Sequence, residues 1–105
     1  MLRSRVAPGL LAAGFAVSFT GLAFAADAGQ GEVLAKRWCA DCHVVSASQA
    51  RGSTQAPPFS EIARREGLTA GSIALFLLRP HPPMPDMSLS RSEAADLAAY
   101  IASQK

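Results

Sequence analysis

Cys39-Ala40-Asp41-Cys42-His43 is the stretch of this sequence in which thiols and an imidazole stand at a chemically useful spacing. On a helical turn, residues three and four apart share a face, so these side chains present two sulfurs and a ring nitrogen to one side. C-x-x-C-H is the attachment signature of a c-type haem, in which both thiols become thioethers on the porphyrin and the histidine ligates the iron. Three other chemistries use some of the same residues. A thioredoxin-like dithiol wants a βαβ pattern around it, and none is visible. Structural zinc wants four ligands, and Cys39, Cys42, His43 and the distant His81 are the whole supply of Cys and His. A disulfide is open to two cysteines in an oxidising compartment, but the histidine directly after the second cysteine favours haem.

The 105 residues allow one small domain and no more. Residues 1–25 read as a cleavable signal peptide. Arg3 and Arg5 are followed by an uncharged apolar run from Val6 to Phe24, then by the small-residue site Ala23-Phe24-Ala25. An uncleaved membrane anchor is the alternative, but Pro8, Gly9, Gly14 and Gly21 weaken a permanent spanning helix. Cleavage predicts a domain over 26–105, about 80 residues, located in the periplasm. Without Arg3 and Arg5, the ten basic residues fall to eight, matched by eight acidic ones. That neutral balance offers nothing to nucleic acid, and signal cleavage leaves no membrane insertion. A domain this small buries too little surface to be stable without a staple or cofactor, so something extra is expected in its core.

The apolar spacing is helical throughout, which predicts an all-α domain of four or so short helices. Asp27 is a plausible N-cap for a first helix reaching Trp38, on which Leu34 and Trp38 share a face. After an irregular stretch from Val44 to Pro58, Ser60 is read as the cap of a helix over 61–66, closed by Gly67 in the left-handed conformation. Thr69 caps a third helix containing Ile73 to Leu78, which Pro80 stops. His81-Pro82-Pro83-Met84-Pro85 cannot be helical and reads as a stiff strap. Ser90 and Glu93 form a capping box for the last helix, with Leu89 as its staple and Ala94, Leu97, Ala98 and Ile101 as its apolar stripe.

On these residues the chain resembles the small class I c-type cytochromes, over essentially all of 27–103. Three features beyond the attachment sequence carry the likeness: Pro57-Pro58-Phe59, Met84-Pro85 in the strap, and Asp96-Leu97-Ala98-Ala99-Tyr100-Ile101 in the last helix. Gly31 stands where the family's first and last helices cross. The resemblance implies the cytochrome c fold around one covalently bound haem c. It implies that Pro57 orients His43 through its carbonyl and that Met84 is the second axial ligand of the iron. The residues by themselves leave Met87 and His81 open for that position, although Met84 lies between two prolines. Trp38, Phe59, Ile62, Phe76, Leu77, Leu97 and Tyr100 are candidates for the haem wall or the packing around it, and Arg79 and Arg51 could meet the haem propionates.

Axial histidine and thioether fill both faces of an iron, so such a site moves electrons and performs little bond chemistry. The expectation is an electron-transfer protein and not an enzyme, carrying single electrons between redox proteins such as a dehydrogenase, a membrane complex or a terminal oxidase or reductase. Two other readings fit the same residues: a haem subunit of one oxidoreductase, and a haem sensor or enzyme with a labile methionine. No paired carboxylates, phosphate loop or nucleophile triad suggests a separate catalytic activity.

Overall fold

The computed structural model describes residues 8–18, 20, 25–50, 52, 55–79 and 81–105. Among the described residues, four helices follow in order: α1 (Ala28–Trp38), α2 (Phe59–Ala63), α3 (Ala70–Leu77) and α4 (Arg91–Ala102). The all-α expectation is met by this helical architecture, with one isolated bridge between His81 and Met84. Pro80, Arg51 and the Ala23-Phe24 part of the expected cleavage site lie outside the described residues.

Short polar side chains start three of the helices. The Asp27 carboxylate accepts from the Gly29 and Gln30 amides at 2.9 and 3.1 Å, satisfying donors that the first turn leaves without helical partners. Thr69 and Ser72 close a capping box on α3, and Ser90 and Glu93 close another on α4. The second helix departs from expectation. It begins at Phe59, with Pro58 as its cap and Ser60 inside its first turn. Pro58 supplies the extended backbone a cap needs, at φ −63° and ψ 148°, and the Phe59 amide is taken by the Val44 carbonyl at 3.0 Å. Gly67 is left-handed as expected, at φ +75°, but it stands in the turn beyond α2 and does not close it.

Helix α4 is the hub, packing against α1, α2 and α3. Its stripe of Ala94, Leu97, Ala98 and Ile101 is buried as the spacing predicts, and Leu89 packs on the same core. Helix α1 meets α4 through Gly31, Ala35 and Cys39, a stripe of small residues four apart. The Asp27 amide donates to the Asp96 carboxylate at 2.7 Å, fixing the start of α1 on α4.

Tyr100 ties α4 to the loop after the cysteines. Its hydroxyl, buried, donates to the Val45 carbonyl at 2.7 Å. Replacing it with phenylalanine leaves that carbonyl without a partner, and a loss of about 1–3 kcal/mol is expected by chemical denaturation. Burial also raises the phenol's pKa above its ordinary value, with the Glu32 charge adding to the rise. A folded-state pKa raised above the unfolded one gives stability that is present below about pH 10 and lost as pH climbs through the folded value. Tyr100 is the sole tyrosine in the chain, so the absorbance of tyrosinate follows this group alone.

The described large apolar side chains before the domain stand in solvent. Leu10, Leu11 and Phe15 are 98%, 98% and 95% exposed, so their apolar surface adds nothing to the core. Among the described residues, no helix is long and apolar enough to cross a membrane.

Candidate functional site

Helix α1 leads straight into the two cysteines and His43, and brings Cys39 and His43 to one wall of a cleft. Past Trp38 the chain winds on for another turn, in which the Cys42 and His43 amides both donate to the Cys39 carbonyl, at 3.2 and 2.9 Å. The turn keeps the three side chains within one helical repeat. Cys39 is buried and Cys42 half-buried, and the two thiols are unpaired. Cys39 and His43 line the cleft directly, whereas Cys42 lies off its wall, its thiol 3.7 Å from the Gln55 side-chain oxygen. Burial, reinforced by the neighbouring Cys42, pushes the Cys39 thiol up to about 11. A redox dithiol needs a thiolate of lowered pKa, so this environment opposes the thioredoxin-like reading.

His43 is held in one orientation. Its Nδ1 is 2.6 Å from the Pro57 carbonyl oxygen, which can only accept. The proton therefore sits on Nδ1, and Nε2 keeps a free lone pair, the state in which an imidazole ligates a metal. Phe59 packs against the same ring, centroid to centroid 5.2 Å. Pro57 is placed by two backbone bonds, Ala56 N–H to the Cys42 carbonyl at 3.2 Å and Phe59 N–H to the Val44 carbonyl.

A residue that sequence reasoning missed, Gln49, braces this loop from within. Its Oε1 accepts the Val45 amide at 2.8 Å, and its Nε2 lies 3.3 and 3.2 Å from the Ala40 and His43 carbonyls. A glutamine in a polar stretch carries no sequence signal for such a role; only the folded loop shows it.

The cleft has a volume of about 160 Å³ and opens to solvent at its mouth. Phe59, Ile62, Phe76 and Leu77 line it as expected, while Leu97 and Tyr100 belong to the core packed around it. Trp38 does not. It is 47% exposed, with the Arg37 guanidinium 4.9 Å over its ring, because the buried stripe of α1 runs through Gly31, Ala35 and Cys39. Met84 lines the cleft; Met87 and His81 do not. Arg65 is the charged residue on its lining, a position the sequence did not single out, and its guanidinium lies 3.5 Å from Glu61. Arg79 does not reach the cleft.

An apolar cleft in a small helical domain, walled by an attachment turn and a histidine with its Nε2 free, is the build of a class I c-type cytochrome. The chain belongs to the cytochrome c family, whose profile matches residues 28–105. It is 57% identical over 81 residues to cytochrome c-552 of Bradyrhizobium diazoefficiens, covering 77% of this chain and 78% of that one. Comparison with solved structures gives no significant match. The protein is thus an electron-transfer protein and not an enzyme, with one covalently bound haem c and redox proteins as its partners. The residues fit that cofactor: two unpaired cysteines one turn apart, an imidazole with a bare nitrogen, and an apolar wall.

Proposed function

We propose that this protein is a periplasmic single-electron carrier whose haem is anchored by Cys39 and Cys42 and ligated by His43 and Met84. The observation that carries the reading is the 2.6 Å bond from His43 Nδ1 to the Pro57 carbonyl, which fixes the tautomer and leaves Nε2 for the iron. Bound in the cleft, haem c supplies an iron that gains and loses one electron. Met84 supports a second ligand because it is the methionine on the cleft wall, in a strap stiffened by Pro82, Pro83 and Pro85. With His43 and Met84 as its two ligands, the iron would have a raised potential and be closed to other ligands. Arg65, on the cleft lining, would meet an acidic group of the cofactor.

Residues 1–25 act as the export signal, and the domain starts at Ala26. In support, the family profile begins at 28, and Leu10, Leu11 and Phe15 have no packing role. The cleaved chain is neutral, with Leu75, Phe76 and Leu78 exposed on and beside α3. Partners such as a dehydrogenase, a membrane complex or a terminal oxidase or reductase would dock on this apolar surface, with rates that depend weakly on salt.

Absorption spectra of the protein made with cytochrome maturation machinery test the reading. A low-spin haem with a sulfur-to-iron charge-transfer band, resistant to carbon monoxide when reduced, is expected. Its intact mass should match a chain beginning at Ala26 plus one haem. Colourless protein with free thiols, or a reduced haem that binds carbon monoxide at once, would contradict it.

A further inference from the structure

The strap carries a nitrogen directly beside the sulfur of Met84. His81 Nδ1 lies 2.7 Å from the Arg79 carbonyl, which can only accept, so Nδ1 bears a proton and Nε2 is the nitrogen turned the other way. That Nε2 is 2.9 Å from Met84 Sδ. The ring is further held by Phe76, centroid to centroid 3.9 Å at 31°, and Phe76 is itself on the cleft wall. His81 is not on that wall, whereas Met84 is, so the imidazole stands behind the thioether as seen from the cleft.

The distance is that of an Nε2–H donating to the sulfur, so the imidazole nitrogen and the thioether stand in direct contact. Both atoms are metal ligands, one harder than the other. Removal of the sulfur leaves Nε2 facing the space it occupied, on a ring already oriented by Arg79 and Phe76.

We propose that His81 is a reserve axial ligand: when Met84 Sδ leaves the sixth position, His81 Nε2 takes it. One iron–sulfur bond breaks and one iron–nitrogen bond forms. Any proton that Nε2 shares with the sulfur passes to solvent as the nitrogen binds. The proposal rests on Met84 being the ligand in the undisturbed protein. Its consequence is that the iron stays closed at a lower potential, since imidazole is harder than thioether.

The test uses Met84→Ala and the bulkier Met84→Leu in the haem-loaded protein at pH 7, each with and without His81→Ala. With His81 present, the charge-transfer band should vanish while electron paramagnetic resonance reports low-spin iron with two imidazole ligands. The reduced form should bind carbon monoxide at least tenfold more slowly than the double variant, which should be high-spin and open. High-spin iron in Met84→Leu with His81 intact would overturn the proposal. A charge-transfer band missing from the unsubstituted protein, or surviving in Met84→Leu, would instead overturn the axial assignment of Met84 and this proposal with it.

Discussion

Replacing both Cys39 and Cys42 with alanine is expected to yield protein whose haem is extracted by acidified organic solvent, and whose stripped chain loses most of its helical circular dichroism. The first half follows from the chemistry, since no other cysteine exists to form a thioether. The second follows from size. A core in a domain of about 80 residues supplies roughly 3–5 kcal/mol of stability. The cleft left without its cofactor is about 160 Å³, and a closed core cavity of that size would cost about 4 kcal/mol at ~24 cal/mol per Å³. That upper figure is as large as the core's whole contribution, so the stripped chain stands at the edge of unfolding. Phe59, Ile62, Phe76 and Leu77 would then surround a void in place of a cofactor. Mass spectrometry and far-ultraviolet dichroism check the two halves separately. Covalent haem in the double variant, or a stripped chain with undiminished helix, would refute the account.

The same economy of size explains which parts of the fold the sequence disclosed. Asp27, Thr69 and Ser90 were legible because an N-cap is a local device, made by a short side chain and the amides two or three residues on. Ser60 misled because it looks like such a cap, yet the preceding backbone had already been set by Pro58 and by the Val44 carbonyl, a partner fifteen residues back. Trp38 misled because spacing from Leu34 says which residues share a face, not which face is buried. Gly31 chose the face, and it turned Trp38 toward solvent.

The site divides the same way. Cys39, Cys42 and His43 are a contiguous signature, and Met84 stands in a strap that three prolines mark out. The Pro57 carbonyl was placed by resemblance alone, and in the structure it meets His43 Nδ1. Gln49 and Arg65 were invisible because their roles depend on where distant backbone arrives: Gln49 meets carbonyls six and nine residues away, and Arg65 reaches the cleft only after α2 has ended. The Tyr100 bond to Val45 spans 55 residues and has no local sign at all.

Gly31 carries the second large effect. A β-carbon built there would lie 2.6 Å from the Asp96 carbonyl carbon and 2.8 Å from Tyr100 Cβ, and nearer still to the Asp96 carbonyl oxygen. Two of these obstacles are backbone, which cannot rotate aside, so α1 and α4 must separate. Separation strains the Asp27 amide bond to Asp96 and the packing of Ala35 on α4. Overpacking of a tight core costs about 1–3 kcal/mol, and backbone obstacles put Gly31→Ala at the upper end. Alanine's better helix propensity returns about 1 kcal/mol. The net expectation is a loss near 2 kcal/mol, about 10 °C in melting temperature for a domain this size. Valine lacks the propensity gain and adds two methyl groups to the clash, so Gly31→Val should lose more and lower the yield of haem-loaded protein, because α1 leads into Cys39 and α4 supplies Ile101 to the cleft. Gly71→Ala is the control. It sits in the first turn of α3, exposed, with the nearest obstacle the Thr69 hydroxyl at 3.8 Å, so the same substitution should be neutral or slightly stabilising. Denaturation of the three variants beside the parent decides whether the helix crossing, and not glycine's flexibility, is what Gly31 provides: equal effects at 31 and 71 would reject the crossing, and opposite signs would establish it.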